Sequence, residues 1–440
     1  MSSHENQPDS GRRNFLLGSA AAVAAMAGLE SAVADMSSDK NVHVVIVGSG
    51  SAGISLANRL SRALPNGKVT VIDRKEPHYY WPGLTLVATG LWPKDKVVLA
   101  NADFLPANIT WIKEMVTEFD PQNNTVVTDA GQKVKYDFMV VAMGTEYNYG
   151  AIQGMDVEAI GANGLASVYH SPDKAAASWT AIQKFVNQGG QGIYTLPATP
   201  IRCAGAPLKM TFLTLDRIKQ AGTQDKAVID FHSALGIVFG LPYFNDFTIN
   251  RWKEQGVDTH LKSNLKAVDI GGRKATFATE KGDVEVAYDL LHVVPPMRAP
   301  EAVRKSELAW KEGNFAGGGW LAVDKGTLQH TDFPNVFGCG DVNGTPRGKT
   351  AATVKLSVPV VQANLLSVIE GKDPAVIFNG YTSCPLITRF GSAMLIEFDY
   401  DGKLTPTFSF IDPKQESWFA WVMKEQMLKP TYLEMLQGHV

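Results

Sequence analysis

Cysteine is scarce. Three in 440 residues, at 203, 339 and 384, exclude a disulfide-stapled scaffold and leave each thiol open to chemical use. No block of like charge occurs, and 41 Lys+Arg against 44 Asp+Glu give a formal charge of −3, which leaves no electrostatic footprint for nucleic acid. No interior stretch of roughly 18 apolar residues is free of charge, which excludes a membrane-spanning helix in the mature chain. Charged residues are only 19% and apolar ones 45%, so the chain is not disordered. What is there, 40 Gly and 23 Pro among ordinary aliphatics, is the mixture of a globular α/β enzyme, long enough for two or three domains.

Residues 1–34 read as an address. Arg12-Arg13 precedes Phe15-Leu16-Leu17 and an Ala-rich run, which ends in Ala32-Val33-Ala34 before Asp35. That order is the one of a twin-arginine export signal with an A-x-A cleavage site. The expectation is a protein exported already folded to the periplasmic side of the cytoplasmic membrane. It would begin near Asp35, in a compartment where a cysteine pair can persist oxidised.

The run Asn41–Val47 is β-branched and apolar, as a buried parallel strand requires, and it enters Gly48-Ser49-Gly50-Ser51-Ala52-Gly53. Ile54, Ala57, Leu60 and Leu64 then follow at helical spacing. Gly48 permits the tight turn, Gly50 lets backbone approach a pyrophosphate, and Gly53 lets the helix pack close to the strand. A second strand, Val69–Ile72, closes on Asp73 and Arg74; an acid at that distance accepts hydrogen bonds from ribose hydroxyls. A strand before, a helix after and an acid downstream raise the glycine motif from weak to strong. Phe138–Val141 leading to Ala142-Met143-Gly144, and Pro334–Phe337 leading to Gly338-Cys339-Gly340-Asp341, are similar to the accessory motifs of two-dinucleotide-binding-domain flavoproteins and select FAD. Gly348-Lys349-Thr350 then starts a helix whose N-terminus would face the flavin ring, where negative charge builds on reduction. The FAD domain is therefore expected to be discontinuous, 35–150 plus 290–375.

A second α/β block, 165–289, repeats the plan: Tyr288–Val294 echoes Tyr136–Val141. Its glycine loop is gone. Strand Gly192–Leu196 runs into Pro197-Ala198-Thr199-Pro200-Ile201-Arg202-Cys203, and prolines neither bend nor donate as a pyrophosphate cradle must. A nicotinamide cofactor is disfavoured. Cys203 stands where phosphate binding would begin, just ahead of a helix opened by Pro207, with Arg202 and Lys209 near, a setting that favours thiolate. An isolated cysteine is more often than not a small buried hydrophobe. Cys384, a Cys-Pro in a turn-like context before a strand at Ala393–Phe398, is ambiguous alone, and Cys339 reads as an inert filler between two glycines.

The runs Cys203–Lys209 (Cys-Ala-Gly-Ala-Pro-Leu-Lys), Leu291–Met297, Thr327–His330 with Pro334–Asp341, and Tyr381–Leu386 resemble sulfide:quinone oxidoreductase over the whole mature chain, and most the subgroup that includes the mitochondrial enzyme. The resemblance implies a glutathione-reductase-like α/β fold of two Rossmann-like domains. It also implies FAD, and Cys203 and Cys384 as a catalytic pair joined by a disulfide or sulfur bridge. Cofactor contacts carry over to Gly48, Gly50, Ser51, Ala52, Gly53, Asp73, Arg74, Ala142, Gly144, Gly340, Asp341 and Lys349; no metal is implied. Two departures stand: no cysteine precedes 203, and Lys209 replaces a glutamate that certain bacterial members carry, so no general base is assigned. Implied partners are hydrogen sulfide, a membrane quinone and a sulfur acceptor (sulfide, sulfite or a thiol). The segment 376–440 carries the second cysteine and an aromatic stretch, Trp418–Met423 with Met427, Leu428, Tyr432 and Leu433. That stretch suits one or two helices lying on a membrane surface, or a cap packed on the core. Phe390, Phe398 and Tyr400 are candidates for a quinone slot. A flavocytochrome c sulfide dehydrogenase subunit, an NADH:quinone oxidoreductase and a non-catalytic persulfide carrier are the competing readings.

Overall fold

The computed structural model describes Val33 and residues 36–440; apart from Val33, the expected export signal lies outside the described residues. The chain first lays down β1 (His43–Val47), α1 (Ser51–Ala63), β2 (Lys68–Ile72), β3 (Thr110–Ile112) and β4 (Phe138–Val141). A second unit follows with β5 (Leu165–Ala166), α2 (Pro172–Gln188), β6 (Gly190–Leu196), α3 (Ala206–Ala221), β7 (Ala227–Ser233), β8 (Val257–Leu261) and β9 (Leu290–His292). The chain then returns to the first unit with β10 (Val336–Gly338) and α4 (Ala351–Ile369). It ends in a hairpin, β11 (Thr382–Arg389) and β12 (Ser392–Phe398), and two helices, α5 (Trp418–Val422) and α6 (Leu428–Leu436), joined by a π-turn.

Two five-stranded parallel sheets form, ordered β10-β4-β1-β2-β3 and β5-β9-β6-β7-β8. Parallel strands are covered on both faces, which is why Val44 to Val47 are a continuous apolar run with almost no exposed surface. In each sheet the strand order reverses beside its first long strand, between β1 and β4 and between β6 and β9. Such a switch leaves a crevice at the carboxyl ends, where open α/β sheets bind ligands. Among the described residues α4 alone is long and apolar enough to cross a membrane, but most of it is buried and it packs against α1 as a core helix.

One local expectation fails. Cys384-Pro385 lies inside β11, not in a turn: Cys384 pairs with Ile396 and Pro385 with Leu395. The hairpin has only two strands, so an edge is free to carry a proline that donates nothing to the ladder.

Candidate active site

At the first switch point three backbones meet. Gly48 has φ +113°, and a Cβ there would lie 2.5 Å from the Ala142 carbonyl oxygen; at Gly53 it would lie 1.9 Å from the Gly48 oxygen. A Cβ on Gly50 would meet nothing within 4 Å, so open space adjoins the loop where a pyrophosphate would approach α1. Ser51 and Ala52 open that helix, and Gly340 (φ +82°) comes so close that a Cβ would lie 3.3 Å from the Ala52 methyl. Asp73 is held as an acceptor, taking the Ser49 N–H at 2.8 Å and the Lys75 N–H at 2.9 Å. Gly144 (φ +71°) faces the Arg202 guanidinium, and Arg202 Nε donates to Asp341 Oδ2 at 2.6 Å. This glycine-lined crevice with acids at Asp73 and Asp341 fits FAD.

Two of the residues expected to contact the cofactor have protein partners of their own. Arg74 is exposed and pairs with Asp129. Lys349 is buried and donates to the carbonyls of Asp341 (2.6 Å) and Asn343 (3.0 Å) above the Trp320 ring, so its ammonium braces the late flavin motif. A buried ammonium must find such acceptors, and these carbonyls are the ones in reach.

The thiols meet beside this crevice. The proline-bearing loop after β6 ties its donors into the fold: the Arg202 N–H reaches Met297 Sδ at 3.1 Å and the Cys203 N–H the Lys349 carbonyl at 2.9 Å. Cys203 thereby sits against the flavin motif, at φ +48°, a conformation that non-glycine residues seldom take and that fixes its side chain. Cys384 arrives from β11 and packs on Gly205, where a Cβ would lie 2.2 Å from its sulfur. The two side chains hydrogen-bond to each other. Both cysteines are unbridged here, placed side by side as a redox pair requires.

Their chemistry is unequal. The hydrogen bond from Cys384 holds Cys203 well below the usual thiol range, against burial, with further help from Lys209, whose Nζ is 3.2 Å from the sulfur, and from Lys424. Cys384 is pushed well above that range, because it keeps the proton it donates to Cys203 and is buried. With the Lys209 ammonium at its sulfur, Cys203 is favoured over Cys384 as the thiolate. Cys339 has no exposed surface, and burial lifts its thiol to about 12, so it is inert at neutral pH.

Lys424 was not singled out from sequence. It comes from the π-turn between α5 and α6, is 2% exposed and donates to the Pro82 carbonyl at 2.6 Å. Burial, then Lys209, push it down to about 7, with the two thiols opposing. A buried lysine is costly without acceptors or an anionic partner, and here the Pro82 carbonyl and the thiol pair supply them. The C-terminal segment therefore has two faces. Tyr432 bonds His78 at 2.5 Å and Glu425 accepts from Trp92 Nε1 at 2.6 Å, whereas Trp418 (69%) and Phe410 (73%) stay exposed. Phe390, Phe398 and Tyr400 do not line one slot. Phe390 lies at the turn of the hairpin, edge-on to Trp421, while Phe398 and Tyr400 lie at its open end, against Phe239 and Phe378. Strand length separates them by roughly 20 Å.

Glycine crevice, proline-blocked second nucleotide loop and opposed thiols define a two-domain flavoprotein disulfide oxidoreductase. Residues 42–189 match the pyridine nucleotide-disulphide oxidoreductase family model. The mitochondrial sulfide:quinone oxidoreductase of Dictyostelium discoideum is 35% identical over 91% of this chain and 87% of its own, and that of Mus musculus 33% over 89% and 86%. The chain belongs to the sulfide:quinone oxidoreductase family. The solved sulfide:quinone oxidoreductase of Aquifex aeolicus shares the fold, with TM-score 0.74 at 21% identity over 90% of this chain and 92% of that one.

Proposed function

We propose that this flavoprotein oxidises sulfide at the Cys203–Cys384 pair and delivers the electrons to a membrane quinone. The observation that carries the reading is the pair of neighbouring cysteines, with the Lys209 ammonium at the Cys203 sulfur, tethered through the Cys203 N–H and Arg202 to the FAD motif. In the oxidised enzyme hydrosulfide attacks the bridge, and the sulfur with the lower thiol pKa leaves faster. Cys203 leaves as thiolate, next to Lys209 and Lys424, and Cys384 carries the persulfide. A nucleophilic acceptor (sulfide, sulfite or a thiol) takes the outer sulfur, which frees Cys384 as a second thiolate. Re-forming the bridge from two thiolates releases two electrons. The chemistry a bound FAD supplies is that of a two-electron acceptor able to serve a quinone. Gly48, Gly50, Gly53, Asp73 and Asp341 are the residues that would hold it.

Exposed Trp418 and Phe410 support contact of the C-terminal segment with a bilayer surface, where the quinone resides. Arg12-Arg13 and the Ala-rich run support export to the periplasmic face, while the named relatives are mitochondrial. The proline-bearing loop argues against NADH as donor. Anaerobic sulfide titration tests the function: Cys203→Ser and Cys384→Ser lose fast flavin reduction, whereas Cys339→Ser keeps it. Fast reduction in either of the first two variants refutes the assignment.

A further inference from the structure

We infer that Asp230, His232 and His260 form a binding site for one divalent transition-metal ion of the zinc type, between β7 and β8 of the second domain. The register assembles it. Asp230 and His232 stand two apart on β7 and so share a face, and His260 on β8 lies directly opposite His232. One ligand atom from each of the three lies within 4.8 Å of the others, and His260 Nε2 is 3.6 Å from Asp230 Oδ2. Around a zinc-sized ion with bonds near 2.0–2.1 Å, ligand atoms stand roughly 3.3 Å apart, so small side-chain rotations close the set.

A second observation marks His232 as a ligand. Its Nδ1 bonds Ser263 Oγ at 2.8 Å, while its Nε2 is buried and has no partner among the described residues, although the residue is only 5% exposed. A buried ring nitrogen left unpaired is costly. A histidine whose other nitrogen is fixed by a hydrogen bond has the tautomer and orientation that metal ligation needs. The ring is stacked between His260 (centroids 4.3 Å) and Phe277 (3.9 Å), so closing the set falls to rotation of the more exposed His260 and Asp230 side chains. The three residues border a cavity of about 220 Å³, so a fourth coordination position is open to water or a small ligand. The chemistry is borderline nitrogen and oxygen, suited to zinc, nickel or cobalt, without sulfur. None of these residues belongs to the thiol site, so the inference stands apart from the proposed activity.

The test is cobalt(II) and zinc(II) binding to the FAD-loaded protein. Wild type is expected to bind one more equivalent than His260→Ala, with a visible cobalt spectrum that lacks sulfur-to-cobalt charge transfer and with a zinc-dependent rise in Tm. His260→Ala and Asp230→Asn are expected to lose that equivalent, with affinity down at least about 100-fold, and Ser263→Ala to weaken it about tenfold. His260 is nearly half exposed and lies outside the thiol site, so its removal leaves folding and sulfide:quinone turnover intact. Equal stoichiometry and affinity in wild type and His260→Ala overturns the inference. So does a cobalt spectrum explained wholly by thiolate ligation.

Discussion

Gly205→Ala separates the thiols without altering either of them. Gly205 has φ −82° and ψ −3°, a conformation any residue adopts, so the change is steric and not a matter of backbone strain. The new methyl would start 2.2 Å from the Cys384 sulfur, and ordinary contact begins at 3.4 Å. The sulfur must therefore retreat by about 1.2 Å or swing to another rotamer, which displaces it from its place beside Cys203. A disulfide requires sulfurs about 2.05 Å apart, so that retreat opposes bridge formation directly. Misplacing a reacting atom by about 1 Å costs on the order of 100-fold in rate. Anaerobic stopped-flow bleaching of the flavin by sulfide is expected to slow by about that factor, with FAD content and Tm close to wild type. Thiol titration of the air-oxidised variant is expected to find both cysteines free. Bleaching within about threefold of wild type would refute the idea that the contact of these two sulfurs is the reacting geometry.

Lys209→Met and Lys424→Met each remove a positive charge that favours the Cys203 thiolate, so the pH midpoint for iodoacetamide alkylation of the reduced enzyme should rise by about one unit or more. Lys424 is itself charged below about pH 7 and neutral above, so its own contribution fades as pH rises through that value. An unmoved midpoint in both variants overturns the assignment. Phe410→Glu combined with Trp418→Glu should weaken liposome binding at least tenfold, since burying each aromatic side chain is worth roughly 1.5–3 kcal/mol. Turnover with a soluble short-chain quinone should persist, and unchanged co-sedimentation with vesicles would refute the membrane-facing role.

The parallel strands were legible because burial on both faces writes them as unbroken β-branched runs, as Asn41–Val47 and Phe138–Val141 do. The glycine turn was legible because backbone contact leaves no alternative to glycine at 48 and 53. Cys384 was misread as a turn because proline is a strong local punctuator, and only the two-stranded hairpin shows that an edge was free to hold it. Phe390, Phe398 and Tyr400 were grouped by nearness in sequence, which a hairpin converts into distance. Lys424 and the Asp230–His232–His260 cluster depend on which strand or turn lies beside which; periodicity along one segment says nothing of that.

The loss of the second nucleotide loop and the gain of the thiol are one change seen from two sides. In a dinucleotide site the free N–H groups at a helix N-terminus meet a phosphate. Here the loop after β6 turns its N–H groups to Met297 and Lys349, and α3 opens at Ala206 with a thiolate three residues ahead of it. An anion still sits before the helix, and the positive end of the helix still favours it. The anion is now covalently part of the chain, and Lys209 on the same helix supplies the counter-charge. Restoring glycines to the loop would therefore not simply admit NADH. It would untie the Cys203 N–H from Lys349 and release the thiolate from the flavin motif.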